Sequence, residues 1–286
     1  MLEPLVRFWW RLKVAFAQAY GRMAKVDPRP RLCKLAFEAA QRRQYGQFFL
    51  ALDLADGVSD WHHAWLANVA LAYYDAGRVA DAEEQLATAL EKAPEDPTVL
   101  ACYGEFLQKK DLHNDSIPYL VRATGMMSAN ARTWGLLGEA YRVSGFGAKA
   151  RECYLRALEC QPGSQELGWI YNSLAFLAAD LGDWTEAARF WREAAARVPR
   201  TEYVWYNLGD ALLHAGDYRG AVQALRKDLR VGLKKPDYTY YDLAYAYYRL
   251  GDLRRAMICC ERVLDLTPDA PDALELKREL QKACTK

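Results

Sequence analysis

Apolar residues recur along this chain at the spacing of an α-helix, in segments of about a dozen residues that come in pairs. In residues 131–164, the first segment places Trp134, Leu137 and Tyr141 on one face of a helix. A glycine follows this segment, and Pro162 follows the second one. Glycine supplies the left-handed backbone that ends a helix, and proline cannot continue one. The pattern therefore predicts a hairpin of two amphipathic helices.

The same hairpin pattern returns about every 34 residues along most of the chain. Small residues recur where the two helices of a pair would cross closely, for example at Gly138 and Ala150. One hairpin cannot bury its own apolar face, whereas stacked hairpins share one core. We therefore predict a single repeat domain over residues 29–270. Its seven units are 29–62, 63–96, 97–130, 131–164, 168–201, 202–235 and 237–270.

Residues 131–164 carry the most complete version of the motif, W-x-x-L-G-x-x-Y, at Trp134, Leu137, Gly138 and Tyr141. This motif and its period resemble the tetratricopeptide repeat (TPR). The resemblance implies an all-α fold, a right-handed α-solenoid of about seven helix-turn-helix units. It also implies a non-enzymatic scaffold or adaptor that binds a peptide or helix of a partner protein in its concave groove.

Three local features depart from the repeat. In unit 97–130, Asp111 occupies the turn position that glycine holds in most units. Pro118 lies in the predicted second helix of that unit, and because proline is tolerated in a first turn, we expect this helix to begin near Asp115. Additional residues before the fifth unit predict a first helix that begins early, near Ser164.

Two segments flank the predicted repeats. Residues 271–286 indicate one more helix with a polar face, which is typical of a cap on the last repeat. Residues 1–28 predict a basic, tryptophan-rich amphipathic helix and a linker, and residues 1–43 hold ten basic and three acidic residues. Such a helix fits three roles: a cap over the first repeat, a membrane-surface anchor, or a contact with a partner or a second protomer. The candidate contact residues in this helix are Trp9, Trp10, Arg7, Arg11 and Phe16.

The TPR resemblance further implies that the first helix of each unit lines the groove through its second, fifth, ninth and twelfth positions. These positions are polar and charged in the early units and mostly aromatic in the late ones. The candidate partner-binding residues at or beside these positions are Asn68, Glu105, Arg132, Glu139, Arg142, Trp169, Asn172, Phe176, Tyr203, Tyr206, Asn207, Tyr238, Tyr241, Tyr245 and Tyr248.

Residues 238–248 hold six tyrosines in eleven positions. By register, one stripe that contains Tyr240 and Tyr247 packs inside the repeat, and the other four tyrosines form a second stripe at helical spacing. Tyrosine is rigid, amphipathic and enriched at interaction hot spots. The second stripe therefore fits either a bound peptide or helix, or packing of the tyrosines on one another along the solenoid wall.

Composition and motifs narrow the function. The chain has 38 basic and 37 acidic residues, so it lacks the basic excess of a typical nucleic-acid binder and no nucleic acid is expected. No run of about 18 apolar residues predicts a transmembrane helix. Catalytic and phosphate-binding motifs are absent, and the adjacent His62 and His63 would point apart on a helix. We therefore expect no enzymatic activity, no metal and no cofactor.

The sequence favours a cytoplasmic TPR scaffold that binds protein partners. Two alternatives stay open. One is a peripheral membrane adaptor anchored by residues 1–28. The other is a self-assembling scaffold, a homo-oligomer in which that segment docks on another protomer.

The cysteine pattern yields a first testable prediction. The seven cysteines are odd in number, and none has the spacing of a zinc knuckle. Free thiols in a reducing compartment fit this pattern. We expect all seven cysteines to be reduced in the native protein, and we expect reductant to leave the melting temperature unchanged. Mass spectrometry of the alkylated native protein measures this, and a native disulfide would contradict the cytoplasmic location.

Overall fold

The described part of the chain is helical throughout. The computed structural model describes residues 63–126, 129–201, 203–231 and 236–284, together with Leu35 and Ala39. Over these ranges it contains thirteen bounded α-helices and no strand. In chain order the helices are α1 (His63–Asp75), α2 (Val79–Lys92), α3 (Pro97–Lys109), α4 (His113–Thr124), α5 (Ala131–Val143), α6 (Gly147–Glu159), α7 (Ser164–Asp180), α8 (Trp184–Arg197), α9 (Val204–His214), α10 (Tyr218–Val231), α11 (Pro236–Arg249), α12 (Leu253–Leu266) and α13 (Pro271–Cys284).

The helices form consecutive pairs from α1–α2 to α11–α12, and the two helices of every pair pack against each other. Each pair corresponds to one of the six predicted units between residues 63 and 270. This confirms the predicted all-α fold of helix-turn-helix hairpins. The amphipathic helix predicted in residues 1–28 and the unit predicted at 29–62 lie outside the part of the chain described here.

The chain divides into two compact units, Met1–Ala129 and Asn130–Lys286. We call them the N-terminal and the C-terminal unit. In the N-terminal unit, α3 packs against α1 and α2. In the C-terminal unit, the second helix of one pair packs against the first helix of the next, as α8 does on α9 and α10 on α11. The last helix, α13, packs on α12 and α11, as expected for a cap. The predicted outer bounds of the repeat domain, 29 and 270, stay a prediction.

Left-handed backbone closes the turn inside each pair. Gly145 has a φ of 82° between α5 and α6, in the region that favours glycine. Asp111 takes the equivalent position between α3 and α4 with a φ of 60°. Aspartate is among the few residues that visit this region, because its short side chain can hydrogen-bond locally. The turn geometry is therefore retained where the glycine is missing.

Two helix starts test the predictions made around the irregular units. Helix α7 begins at Ser164, which confirms the early start. The expected start of α4 near Asp115 is wrong, because α4 begins at His113 and Pro118 lies inside it. Proline at that place removes the backbone bond to Asn114. The Ser116 amide still bonds to the Leu112 carbonyl at 3.2 Å, so the first turn forms before the proline is reached.

Close approach of the paired helices depends on small residues facing large ones. A Cβ atom added at Gly138 would lie 2.7 Å from Cε1 of Tyr154, which is fully buried. The same relation holds for Gly104 with Leu120 and for Gly209 with Leu225. None of the helices in the described ranges is both long and apolar enough to cross a membrane.

The Gly138 contact generates a second prediction. Gly138→Leu should lower the free energy of unfolding by at least about 1–3 kcal/mol, because the new side chain overlaps the Tyr154 ring and forces α5 away from α6. Urea titration followed by circular dichroism measures the change. Ala148→Leu, at an exposed position of α6, is the matched control and should change the free energy of unfolding by less than about 0.5 kcal/mol. An unchanged midpoint for Gly138→Leu would contradict the register of the repeats.

Candidate partner-binding surfaces

Helices α9 and α11 are first helices of adjacent pairs, and they contact each other within the C-terminal unit. Together they present what we call the tyrosine surface, which consists of Tyr206, Tyr238, Tyr241, Tyr245 and Tyr248. Tyr206 comes from α9, and the other four come from α11. The surface therefore brings together candidate residues from two predicted units.

Helix α11 has one buried and one half-open face. Leu243, Ala244 and Tyr247 are buried, whereas Tyr238 is 56% exposed. Tyr241, Tyr245 and Tyr248 are half-buried and pack their inner parts against the core. Their rings are thus held in place at the base while part of each ring stays open to solvent.

A carboxyl group lies within this aromatic surface. Asp242 on α11 accepts a hydrogen bond from the Tyr206 hydroxyl. Its second oxygen, Oδ2, is buried and has no hydrogen-bond partner among the described residues. Burial and the nearby Asp210 carboxylate raise the pKa of Asp242 to about 7. Burial also raises the pKa of Asp210 itself, against the opposing effect of His214 at 3.5 Å.

A second carboxylate fixes the helices beneath the surface. Asp228 on α10 is 1% exposed and accepts a hydrogen bond of 2.7 Å from the Thr239 hydroxyl on α11. It also accepts a bond from the backbone amide of Tyr206 on α9. Burial raises the pKa of Asp228, and the Thr239 bond opposes that rise. One buried side chain therefore connects α9, α10 and α11.

The edge of the tyrosine surface is cationic. Arg249 donates a hydrogen bond of 2.8 Å to the Tyr245 hydroxyl. Its guanidinium carbon lies 4.6 Å from the centre of the Tyr218 ring and 5.7 Å from that of Tyr245. These contacts fix the orientation of Tyr245 at the C-terminal end of α11.

A separate polar network joins α5 and α7. Arg142 donates hydrogen bonds of 2.7 Å to Glu139 on its own helix and to Asp180 at the end of α7. Glu139 also accepts a bond of 2.8 Å from the Tyr154 hydroxyl on α6. Hydrogen bonding to Glu139 raises the pKa of Arg142 above its usual value. Two candidate residues, Glu139 and Arg142, are therefore engaged with each other within the fold.

The candidates on α7 also make contacts inside the unit. Asn172 accepts a hydrogen bond of 3.0 Å from the Trp191 indole on α8. Phe176 is 36% exposed and packs edge-on against Trp191, with ring centres 5.2 Å apart. Trp169 covers Gly135 of α5, where an added Cβ would overlap its ring. Trp169 thus packs on the core cluster of α5 to α7, whereas the tyrosine surface packs on a cluster that extends from α7 to α13.

The remaining candidates are scattered. Asn68 and Glu105 lie in the N-terminal unit, and the Asn68 amide donates to the Ala64 carbonyl of its own helix. Arg132 is exposed on α5, and Tyr203 is 40% exposed directly before α9. Asn207 is half-buried on α9. The candidates in residues 1–28, Trp9 among them, lie outside the described ranges.

Sequence reasoning missed Asp242. It lies between the two tyrosine stripes of α11 and directly precedes Leu243 of the core face. An acidic residue inside a run of tyrosines was the available signal, because burying a carboxyl without a cation nearby is costly. Its partner Tyr206 is on another helix, so their meeting depends on the packing of α9 on α11.

Comparison with known proteins gives consistent matches. A model of the tetratricopeptide repeat matches residues 67–112 and 173–230, and a second one matches residues 238–270. Human cilia- and flagella-associated protein 70 is 28% identical over 107 residues. That segment covers 37% of this chain and only 10% of the human protein, so the chain spans about a tenth of its relative.

Solved structures share the fold at low identity. A chain of the APC/C hetero-tetramer Cut9–Hcn1 has a TM-score of 0.65 at 16% identity, with 93% of this chain and 52% of that chain covered. PilF of Pseudomonas aeruginosa has a TM-score of 0.66 at 16% identity, with 76% and 97% covered. YrrB, a TPR protein with an unusual peptide-binding site, has a TM-score of 0.59 at 16% identity, with 68% and 97% covered.

The repeat motif, the paired helices with left-handed turns, the family matches and the shared fold all agree. The chain belongs to the tetratricopeptide repeat family.

Proposed function

We propose that this TPR scaffold binds a peptide or helix of a partner protein at the tyrosine surface. The observation that carries the proposal is the half-open face of α11, where Tyr241, Tyr245 and Tyr248 rest on the core but keep part of each ring exposed. Aromatic side chains that are already ordered lose little conformational entropy when a partner covers them. Tyrosine offers both ring area and a hydroxyl for hydrogen bonds.

The chemistry of the surface favours a partner segment with a basic side chain. Asp242 has a buried oxygen without a described partner, and Asp210 lies close to it on α9. A lysine or arginine placed between the aromatic rings would stabilise the charged form of Asp242 and lower its pKa. Neighbouring rings would add cation–π contacts.

The proposal includes a cytoplasmic location and no catalytic step. A membrane anchor or a docking helix in residues 1–28 remains the alternative predicted from the sequence. Co-sedimentation with anionic vesicles, using the full chain and a chain that lacks residues 1–28, distinguishes the alternative. Loss of the partner on Tyr241 substitution, without vesicle binding by the full chain, supports the proposed scaffold, whereas vesicle binding that is lost on truncation supports the membrane-anchored alternative.

The tyrosine surface generates a third prediction. Tyr241→Ala and Tyr245→Ala should each weaken partner binding by about 1–3 kcal/mol and cost little stability, because these rings are half-buried. Tyr247→Ala, on the buried face of the same helix, should instead lower the free energy of unfolding by about 3 kcal/mol. The partner is captured by pull-down with the unsubstituted protein, identified by mass spectrometry and titrated calorimetrically against each variant.

Tyr247→Ala is the matched control in this comparison, since it removes the same side chain from the other face. Equal losses of stability in Tyr241→Ala and Tyr247→Ala, with the partner retained by both, would show that the tyrosine stripe only packs within the fold.

The raised pKa of Asp242 generates a fourth prediction. In the unfolded chain an aspartate has a pKa of about 3.9, whereas in the folded protein that of Asp242 is about 7. The folded state therefore holds the proton more tightly, and the free energy of unfolding falls as the pH rises from about 4 to about 7. Asp242→Asn should remove this fall and add up to about 4 kcal/mol at pH 8 while adding almost nothing at pH 4.

Urea titrations between pH 4 and pH 8 measure this difference. Asp269→Asn, at an exposed position, is the control and should follow the unsubstituted curve. Parallel pH profiles for Asp242→Asn and the unsubstituted protein would contradict a neutral Asp242 in the folded state.

A further inference from the structure

A cleft of about 390 Å³ opens on the other side of α9, between this helix and the second helices α8 and α10. Leu208 and Leu212 of α9 and Ala224 of α10 form its apolar floor. Arg192, Trp205 and Lys227 also line the cleft. The volume falls within the range of small ligand-binding clefts. None of these residues belongs to the tyrosine surface.

One side chain at the floor of the cleft is much smaller than its counterpart in the preceding pair. In the preceding pair, Phe190 of α8 stacks on Tyr171 of α7, with ring centres 6.2 Å apart. The equivalent residues one repeat later are Ala224 and Trp205. Ala224 is the smallest residue at this position among the six described pairs, so the space beside Trp205 is left open. One turn earlier in α10, Gly220 likewise replaces a residue with a long side chain.

Two cations border the cleft. Lys227 holds its ammonium nitrogen 4.3 Å from the centre of the Trp205 ring, and Trp205 donates a hydrogen bond of 2.8 Å to the Pro199 carbonyl. Neither Arg192 nor Lys227 forms an ion pair with any residue in the described ranges. The nearby Asp217 carboxylate is engaged in accepting from the Gly220 amide at 2.9 Å. Within the described ranges, both cations at the cleft therefore lack a carboxylate in ion-pair contact.

The basic character extends along α10. This helix carries four basic residues and one acidic residue, more basic residues than any other bounded helix described here. Its exposed cations share one side of the helix and, like Lys227, form no ion pair within the described ranges: they are Arg219, Arg226 and Arg230. Its one carboxylate, Asp228, is buried against Thr239 and faces away from solvent.

We infer that this cleft binds an acidic segment of a partner protein, with an apolar side chain on the leucine floor and carboxylates on Arg192 and Lys227. Charge complementarity selects the acidic groups, since two unpaired cations within reach of one cleft favour carboxylates. The apolar floor favours an apolar side chain between them. This second interface lies between α9 and the second helices α8 and α10, and it shares no residue with the tyrosine surface.

The same observations disfavour other occupants. The chain's own residues 1–43 carry ten basic residues against three acidic ones, so their charge repels the cleft. Nucleic acid or an anionic membrane would use the cations of α10 but has no need of an apolar recess. Binding of nucleic acid or membrane in place of the acidic peptide would therefore overturn the inference.

The test uses the full chain and a fluorescein-labelled peptide of sequence Glu-Asp-Leu-Phe-Asp-Glu-Leu, followed by fluorescence anisotropy. The unsubstituted protein should bind it, and should bind peptides with Gln or Lys at the acidic positions at least about tenfold more weakly. Ala224→Phe restores the side chain that fills the preceding pair and should abolish binding. Lys227→Glu and Arg192→Glu should each weaken binding by about tenfold or more.

Arg254→Glu, at an exposed arginine of α12, changes the net charge equally and should leave the affinity unchanged. Tyr245→Ala should also leave it unchanged, which separates this site from the tyrosine surface. Lys227→Glu keeps the test valid if Ala224→Phe fails to fold, because Lys227 is exposed. The inference is overturned if the uncharged peptide binds as tightly, if Arg254→Glu weakens binding as much as Lys227→Glu, or if only oligonucleotides or phosphatidylserine vesicles bind.

Discussion

The architecture depends on how closely the two helices of a pair approach. At Gly104, Gly138 and Gly209 the first helix has no side chain, and a leucine or tyrosine of the second helix fills that place. Close approach lets each hairpin bury one row of side chains within itself and leaves two rows for its neighbours. The tyrosine surface and the cleft both depend on this close approach, because it determines which helices pack on the two sides of α9.

Helix α9 shows how the two sides of one helix acquire different chemistry. Trp205 and Tyr206 are adjacent in sequence, yet the first borders the cleft with Lys227 and the second reaches Asp242 on α11. One side is basic and faces second helices, and the other is acidic and aromatic and faces a first helix. A scaffold with such opposed sides can hold two partner segments of opposite charge without competition between them.

Local patterns in the sequence predict the helices, their turns and the cap, because glycine, proline and apolar spacing act within a few residues. They also predict Tyr247 on the buried face of α11, whereas Tyr240, predicted on the same inner stripe, is half-buried. They do not predict Asp242 as part of the surface, since its environment comes from Tyr206 and Asp210 on another helix. The predicted start of α4 is wrong for the opposite reason. The preference of proline for the first turn of a helix is local, whereas α4 begins at His113 and contains Pro118. Local patterns do not predict the cleft beside Ala224 either, because its lining comes from three helices, α8, α9 and α10.

Asp228 has a consequence for how the protein opens. Its carboxylate is bonded to Thr239 of α11 and to the amide of Tyr206 on α9, while its own backbone belongs to α10. Releasing α9 or α11 removes one of the two donors from this buried carboxyl group, which costs more than the hydrogen bond itself. The three helices should therefore exchange their amide hydrogens as one cooperative foldon, with fraying confined to segments beyond this link. A carboxylate of this kind makes the middle of the C-terminal unit behave as a single mechanical element.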